Sequence, residues 1–182
     1  NAYLIIEDDK IADFGTMSQL QDTNADKIID AKNRFVLPSF CDSHTHLVYS
    51  GSREIEYIDK IKGLSYEEIA KRGGGILNSA KRLQQASEEE LYEDAMQRLE
   101  EIKSYGTGAV EIKSGYGLTT EAELKMLRVI RKLKENSPLT IKANFLGAHG
   151  VPMEYRGKQG EFVDLVIDEM IPRVVEEGLA DF

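Results

Sequence analysis

His44 and His46 are separated by Thr45 and follow an apolar run interrupted at Pro38. If that run is a strand, side chains two apart share a face, so both imidazoles point one way and Thr45 the other. Two neutral imidazoles at one strand end can converge on a cation, and zinc or iron is the natural choice for nitrogen donors. The plain alternative is a pair of surface histidines in a turn. The chain holds only three histidines, so an accidental pair at this spacing would be uncommon. The third, His149, sits among small residues in Gly147-Ala148-His149-Gly150, and Tyr116 stands between Gly115 and Gly117. His149 could equally hydrogen-bond within a turn, but Tyr116 between two glycines is poorly explained as core. Arg53 follows a Ser-Gly-Ser loop and offers a planar fork for a carboxylate, unless it is an ordinary surface arginine. Tyr66 follows Ser65 at a helix start, where a packing role explains it as well as a binding role.

These residues need strands to carry them. Residues 3–6 and 11–14 read as a hairpin, and residues 28–36 repeat the short-strand pattern. Further on, the rhythm becomes helix, strand, helix, strand. Three capping boxes are predicted, at Ser65/Glu68, Ser87/Glu90 and Thr120/Glu123. The first helix should end at Gly73-Gly74-Gly75. The second presents Leu91, Ala95, Leu99 and Ile102 at helical spacing and should stop at Gly106. The third presents Leu124, Leu127, Ile130 and Leu133, and a last helix over 161–177 carries Pro172 as a kink. Strands over 109–113 and 139–146 lie between them. Alternation of this kind implies βαβ units and a parallel sheet, hence an α/β fold. Each strand runs into a polar loop, and all three histidines and Tyr116 fall on those loops. That is where a (β/α)8 barrel places its chemistry.

Composition sets bounds. The 182 residues carry a formal charge of −9, which argues against nucleic acid as a partner. No apolar stretch approaches the length of a membrane span. The single cysteine, Cys41, excludes an internal disulfide and fits a reducing, cytoplasmic setting. The chain opens directly in a strand pattern without Met and stops in another, so it is expected to be a piece of a longer protein.

The run Pro38-Ser39-Phe40-Cys41-Asp42-Ser43-His44-Thr45-His46 resembles the first-strand signature of the amidohydrolase superfamily. Ser39 stands where that signature usually has Gly, and Cys41 fills an apolar slot; neither change touches the histidines. Three further stretches join it: His44 through Glu54, Arg72-Gly73-Gly74-Gly75-Ile76, and Glu111-Ile112-Lys113-Ser114-Gly115-Tyr116-Gly117-Leu118. With Gly147-Ala148-His149, they resemble the imidazolonepropionase family within that superfamily, over nearly the whole chain.

The resemblance implies a partial (β/α)8 TIM barrel over 38–182, preceded by part of a small β-sandwich domain over 1–37. It implies that His44 and His46 ligate one Zn²⁺ or Fe ion. Arg53, Tyr66, Tyr116 and His149 would line a pocket for 4-imidazolone-5-propanoate, whose ring would be opened to N-formimino-L-glutamate. The family's acid/base residues and remaining ligands would lie beyond residue 182. The piece alone is therefore expected to bind metal weakly and to be inactive. A homodimer remains open. So do two other readings: a different cyclic amidohydrolase or deaminase, and a non-catalytic metal-binding fragment.

Overall fold

The computed structural model describes residues 1–21, 24–72 and 74–182. They form two compact units, Asn1–Pro38 and Ser39–Phe182.

The first unit is built on a hairpin, β1 (Ala2–Glu7) against β2 (Lys10–Thr16), with a one-residue irregularity between Ile5 and Ile6. The turn places Asp8 at φ 53°, a conformation that Asp tolerates better than most residues. The further strands expected over 28–36 are absent among the described residues. The local chemistry explains why. Asp30 accepts the Lys32 N–H at 2.8 Å, Arg34 N–H reaches the Ala31 carbonyl, and Lys32 and Asn33 both take positive φ. This is a side-chain-stabilised turn, which competes with extended pairing. The flanking apolar residues stay in solvent, Phe35 at 95% exposure. Among the described residues, the sheet of this unit is the single hairpin β1-β2.

The second unit contains a three-stranded parallel sheet in the order β3 (Phe40–Thr45), β4 (Thr107–Lys113), β5 (Thr140–Asn144). Between β3 and β4 run α1 (Glu54–Ile61), α2 (Tyr66–Lys71), α3 (Ile76–Gln85) and α4 (Glu88–Ser104). Helix α5 (Thr120–Asn136) links β4 to β5. The α/β class and parallel sheet are as the periodicity requires; no closed barrel exists among the described residues.

Apolar spacing drives this packing. Leu91, Ala95 and Leu99 of α4 and Leu124, Leu127, Ile130 and Leu133 of α5 are buried against Val110, Ile112, Ile141 and Ala143 of the sheet. Ile102 is only partly buried at the margin. Fully burying such a side chain is worth about 1.5–3 kcal/mol, so this layer dominates the unit's stability. On β4 the alternate residues Glu111 and Lys113 face away from that layer and pair with each other.

Helix ends follow their capping chemistry. Ser65 with Glu68, and Ser87 with Glu90, make reciprocal capping boxes. Gly73 lies outside the described residues. Gly106 ends the turn after α4 at φ +96°. The third box is different from expectation. Thr119, not Thr120, caps α5 by accepting the Ala122 N–H, and Glu123 turns inward.

After β5 come α6 (Gln159–Leu165), a π-turn over Val166–Met170, and α7 (Ile171–Glu176). The Ile171 N–H reaches Val166, five residues back, just before Pro172, which has no N–H to give. The expected kink is therefore a widened turn. Residues 179–182 then run along the free edge of β5: Asp181 and Phe182 N–H groups donate to the Ala143 carbonyl, and Phe145 N–H donates to Phe182.

Candidate functional site

The sheet brings the residues at its strand ends together. The β3 register slips by one residue between Asp42 and Thr45, so the strand does not alternate strictly. Asp42 accepts the His44 N–H at 3.2 Å across this irregularity. Thr45 then anchors the end, its hydroxyl donating to the Glu111 carbonyl of β4 at 2.7 Å. The rings of His44 and His46 lie 5.7 Å apart, edge to face. The two rings are neighbours, reached through a bulge and not by strict alternation.

Tyr116 and His149 join them. Their rings stand 5.0 Å and 5.3 Å from His46 and 5.5 Å from each other. Four residues from three strand ends thus form one cluster, with His46 touching the other three.

Burial lowers the pKa of His46; the neighbouring His149, His44 and Lys113 act in the same direction, and Glu111 opposes them. A neutral imidazole is the form that can donate a lone pair. Its Nδ1 is buried without a hydrogen-bond partner among the described residues, and so is Oε2 of Glu111. Buried polar atoms are nearly always satisfied, so an orphaned imidazole nitrogen beside a second imidazole fits the donor side of a metal site. The pair remains a pair, because no group of three His, Cys, Asp or Glu able to hold an ion occurs among the described residues.

Arg53 and Tyr66 are placed differently. Arg53 stands at the N-terminus of α1 and pairs with Glu56 at 3.4 Å. Glu56 also accepts the Gly75 N–H at 3.0 Å. Tyr66 is 68% exposed on α2. Among the described residues, neither makes a ring contact or hydrogen bond with the four-ring cluster.

Two further residues matter here, neither of them expected at the site. Arg98 of α4 donates to the carbonyls of Leu47 and Tyr49 at 2.9 and 3.1 Å and stacks 3.6 Å above the Tyr49 ring. It thereby fixes the segment that leaves the histidine pair. No local signal marks it, since its partners lie about fifty positions earlier. Glu123 was expected to cap a helix. Instead it is fully buried and accepts the N–H groups of Gly115, Gly117 and Leu118. Its signal was a carboxylate in the midst of the apolar α5 pattern.

No family model matches the chain. Individual relatives do. The chain is 62% identical over all 182 residues to a protein of Christiangramia forsetii named imidazolonepropionase, and 59% identical to one of Flavobacterium johnsoniae bearing the same name. A third, from Clostridium tetani, is 43% identical over 185 aligned residues. In each case the whole of this chain is covered but only 44% of the relative. The chain is therefore a homologue of the imidazolonepropionases, matching their N-terminal 44% from end to end.

Proposed function

We propose that this chain carries the N-terminal part of the active site of a metal-dependent hydrolase. The enzyme opens the ring of 4-imidazolone-5-propanoate to N-formimino-L-glutamate in histidine degradation. The observation that carries the reading is the gathering of His44, His46, Tyr116 and His149 at one end of a parallel sheet, in a chain similar throughout to imidazolonepropionases. We read that sheet as part of a (β/α)8 barrel over 38–182 and the hairpin as part of a separate β domain over 1–37.

His44 and His46 would hold one Zn²⁺ or Fe ion, which supplies Lewis acidity and makes water nucleophilic near neutral pH. Tyr116 and His149 hydrogen-bond the ring, or the carbonyl oxygen where charge develops as water adds. Arg53 receives the propanoate carboxylate. At present it pairs with Glu56, whose side chain is largely covered, and a substrate carboxylate would take the place of that partner. Tyr66 would line the same substrate pocket. No helix is long and apolar enough to cross a membrane among the described residues. The proposal is completed by a cytoplasmic location, a small-molecule substrate, no nucleic-acid or membrane partner, and assembly as a homodimer.

The test uses the natural full-length protein loaded with metal. Turnover of 4-imidazolone-5-propanoate, with little on hydantoins, dihydroorotate or guanine, is the expected result. Preference for one of those other rings would assign a different cyclic amidohydrolase. Stoichiometric metal with no turnover of any would leave a metal-binding role, a reading favoured only by the lack of a third ligand among the described residues.

A further inference from the structure

Glu123 is the one fully buried carboxylate among the described residues, and it sits beneath the loop that carries Tyr116. Its Oε1 accepts the N–H groups of Gly117 and Leu118 at 2.7 and 2.9 Å, and its Oε2 accepts that of Gly115 at 2.8 Å. The Ser114 hydroxyl donates to the same carboxylate. Ser114 Oγ also accepts the Leu146 N–H at 3.0 Å, three positions before His149. Helix α5 does not need this carboxylate, since Thr119 already caps it. Burying a carboxylate costs several kcal/mol unless its donors compensate, and here burial pushes its pKa up while the four donors pull it back.

The loop is shaped to fit. A Cβ on Gly117 would stand 2.5 Å from the Glu123 backbone nitrogen, and one on Gly115 would stand 2.9 Å from Cβ of His149. Leu118 accepts a positive φ of 58°, and Gln84 holds the Gly117 carbonyl from the other side at 2.8 Å.

We propose that Glu123 is a positioning residue: by gathering the N–H groups of Gly115, Gly117 and Leu118 and the Ser114 hydroxyl, it sets Tyr116 against His46 and couples that loop to the one bearing His149. The effect on turnover rests on the functional reading above; the effect on the loop does not.

The experiment therefore has two arms, both in the natural full-length protein. In Glu123→Gln, one oxygen becomes an NH2 that faces N–H donors. Amide exchange at Gly115, Gly117 and Leu118 should quicken by roughly tenfold or more, with the apolar face of α5 unchanged. Turnover of 4-imidazolone-5-propanoate should fall by about 100-fold, the scale of a small misplacement. In a Tyr116→Phe background the same change should cost less than about threefold, because the group being positioned is already gone. Unchanged amide exchange overturns the proposal, and so does an equal loss in both backgrounds. If the unaltered protein does not turn over this substrate, the functional reading fails, and amide exchange still decides the role of Glu123. Should Glu123→Gln not fold, Ser114→Ala removes one donor to Glu123 and the acceptor of Leu146, and must move the same amides in the same direction. No movement there also overturns it.

Discussion

Residues 114–118 and residues 50–66 both lie beyond strand ends, yet the fold holds them in opposite ways. The first segment is fastened from beneath by Glu123, from the side by Gln84, and to the next loop through Ser114. The second follows Leu47 and Tyr49, whose carbonyls Arg98 holds, and α1 within it has no buried residue. Tyr116 is thus set before any substrate arrives, whereas Arg53 and Tyr66 stand on a segment with little core beneath it. Under the proposed function, the substrate ring would meet fixed groups and its carboxylate end would be closed over afterwards.

The largest effect should come from the fixed half. His46→Ala removes the ring that touches the other three. It should lower turnover in the full-length enzyme by more than about 100-fold, beyond what outer partners of a metal site usually cost. Metal content measured beside kcat checks this. Normal metal content with normal kcat would break the picture of a fixed centre.

Next comes Arg53→Ala on the looser half. Losing a charge-assisted bond of about 1.5–3 kcal/mol lowers kcat/KM by about 10–150-fold, and Lys at this position should not restore it fully. The comparison sharpens if the substrate slows amide exchange over 53–66 but not over 114–118. Equal protection of both would erase the difference.

Gly117→Ala tests how closely the fixed half is packed. The added Cβ meets the backbone of Ala122 and Glu123, which cannot swing aside as a side chain would. A loss of about 1–3 kcal/mol by chemical denaturation is expected, the usual cost of overpacking.

The smallest effect is electrostatic. Lys142 donates to Asp181 at 2.7 Å, and with help from the Ala143 N–H and Lys134 it lowers that carboxyl from 3.8 to about 2. A depressed carboxyl stabilises the fold above its unfolded pKa, and the benefit is lost as pH falls through the folded value. Asp181→Asn should therefore cost about 1 kcal/mol at neutral pH, allowing for solvent screening, with most of that cost gone at pH 2 and the rest lost below it. Denaturation curves at several pH values check it.

Much of the fastened half was legible in the sequence because its signals are local. The apolar spacing of α4 and α5, the strands between them and the polar strand ends all repeat within a few residues. The same locality misled at Glu123, where a threonine three positions before a glutamate is the pattern of a capping box. Only the loop it underlies, five to eight positions back, turns the carboxylate inward. The short-strand pattern over 28–36 failed for a related reason. A strand needs a neighbour, and the Asp30 side chain offers the backbone a turn instead. Arg98 could not be read at all, since what it holds lies about fifty residues away.

The strand order β3, β4, β5 is also the order in which a ribosome delivers them. Each new strand can add to an edge that already exists, without waiting for a later one to be inserted between. His149 follows His46 by 103 residues, which at roughly 5–20 residues per second separates their synthesis by about 5–20 s. During that interval the nascent chain exposes the histidine pair before its aromatic neighbours exist. On the proposed reading, two imidazoles alone would hold an ion only weakly, so the choice of metal would wait for ligands that are made later.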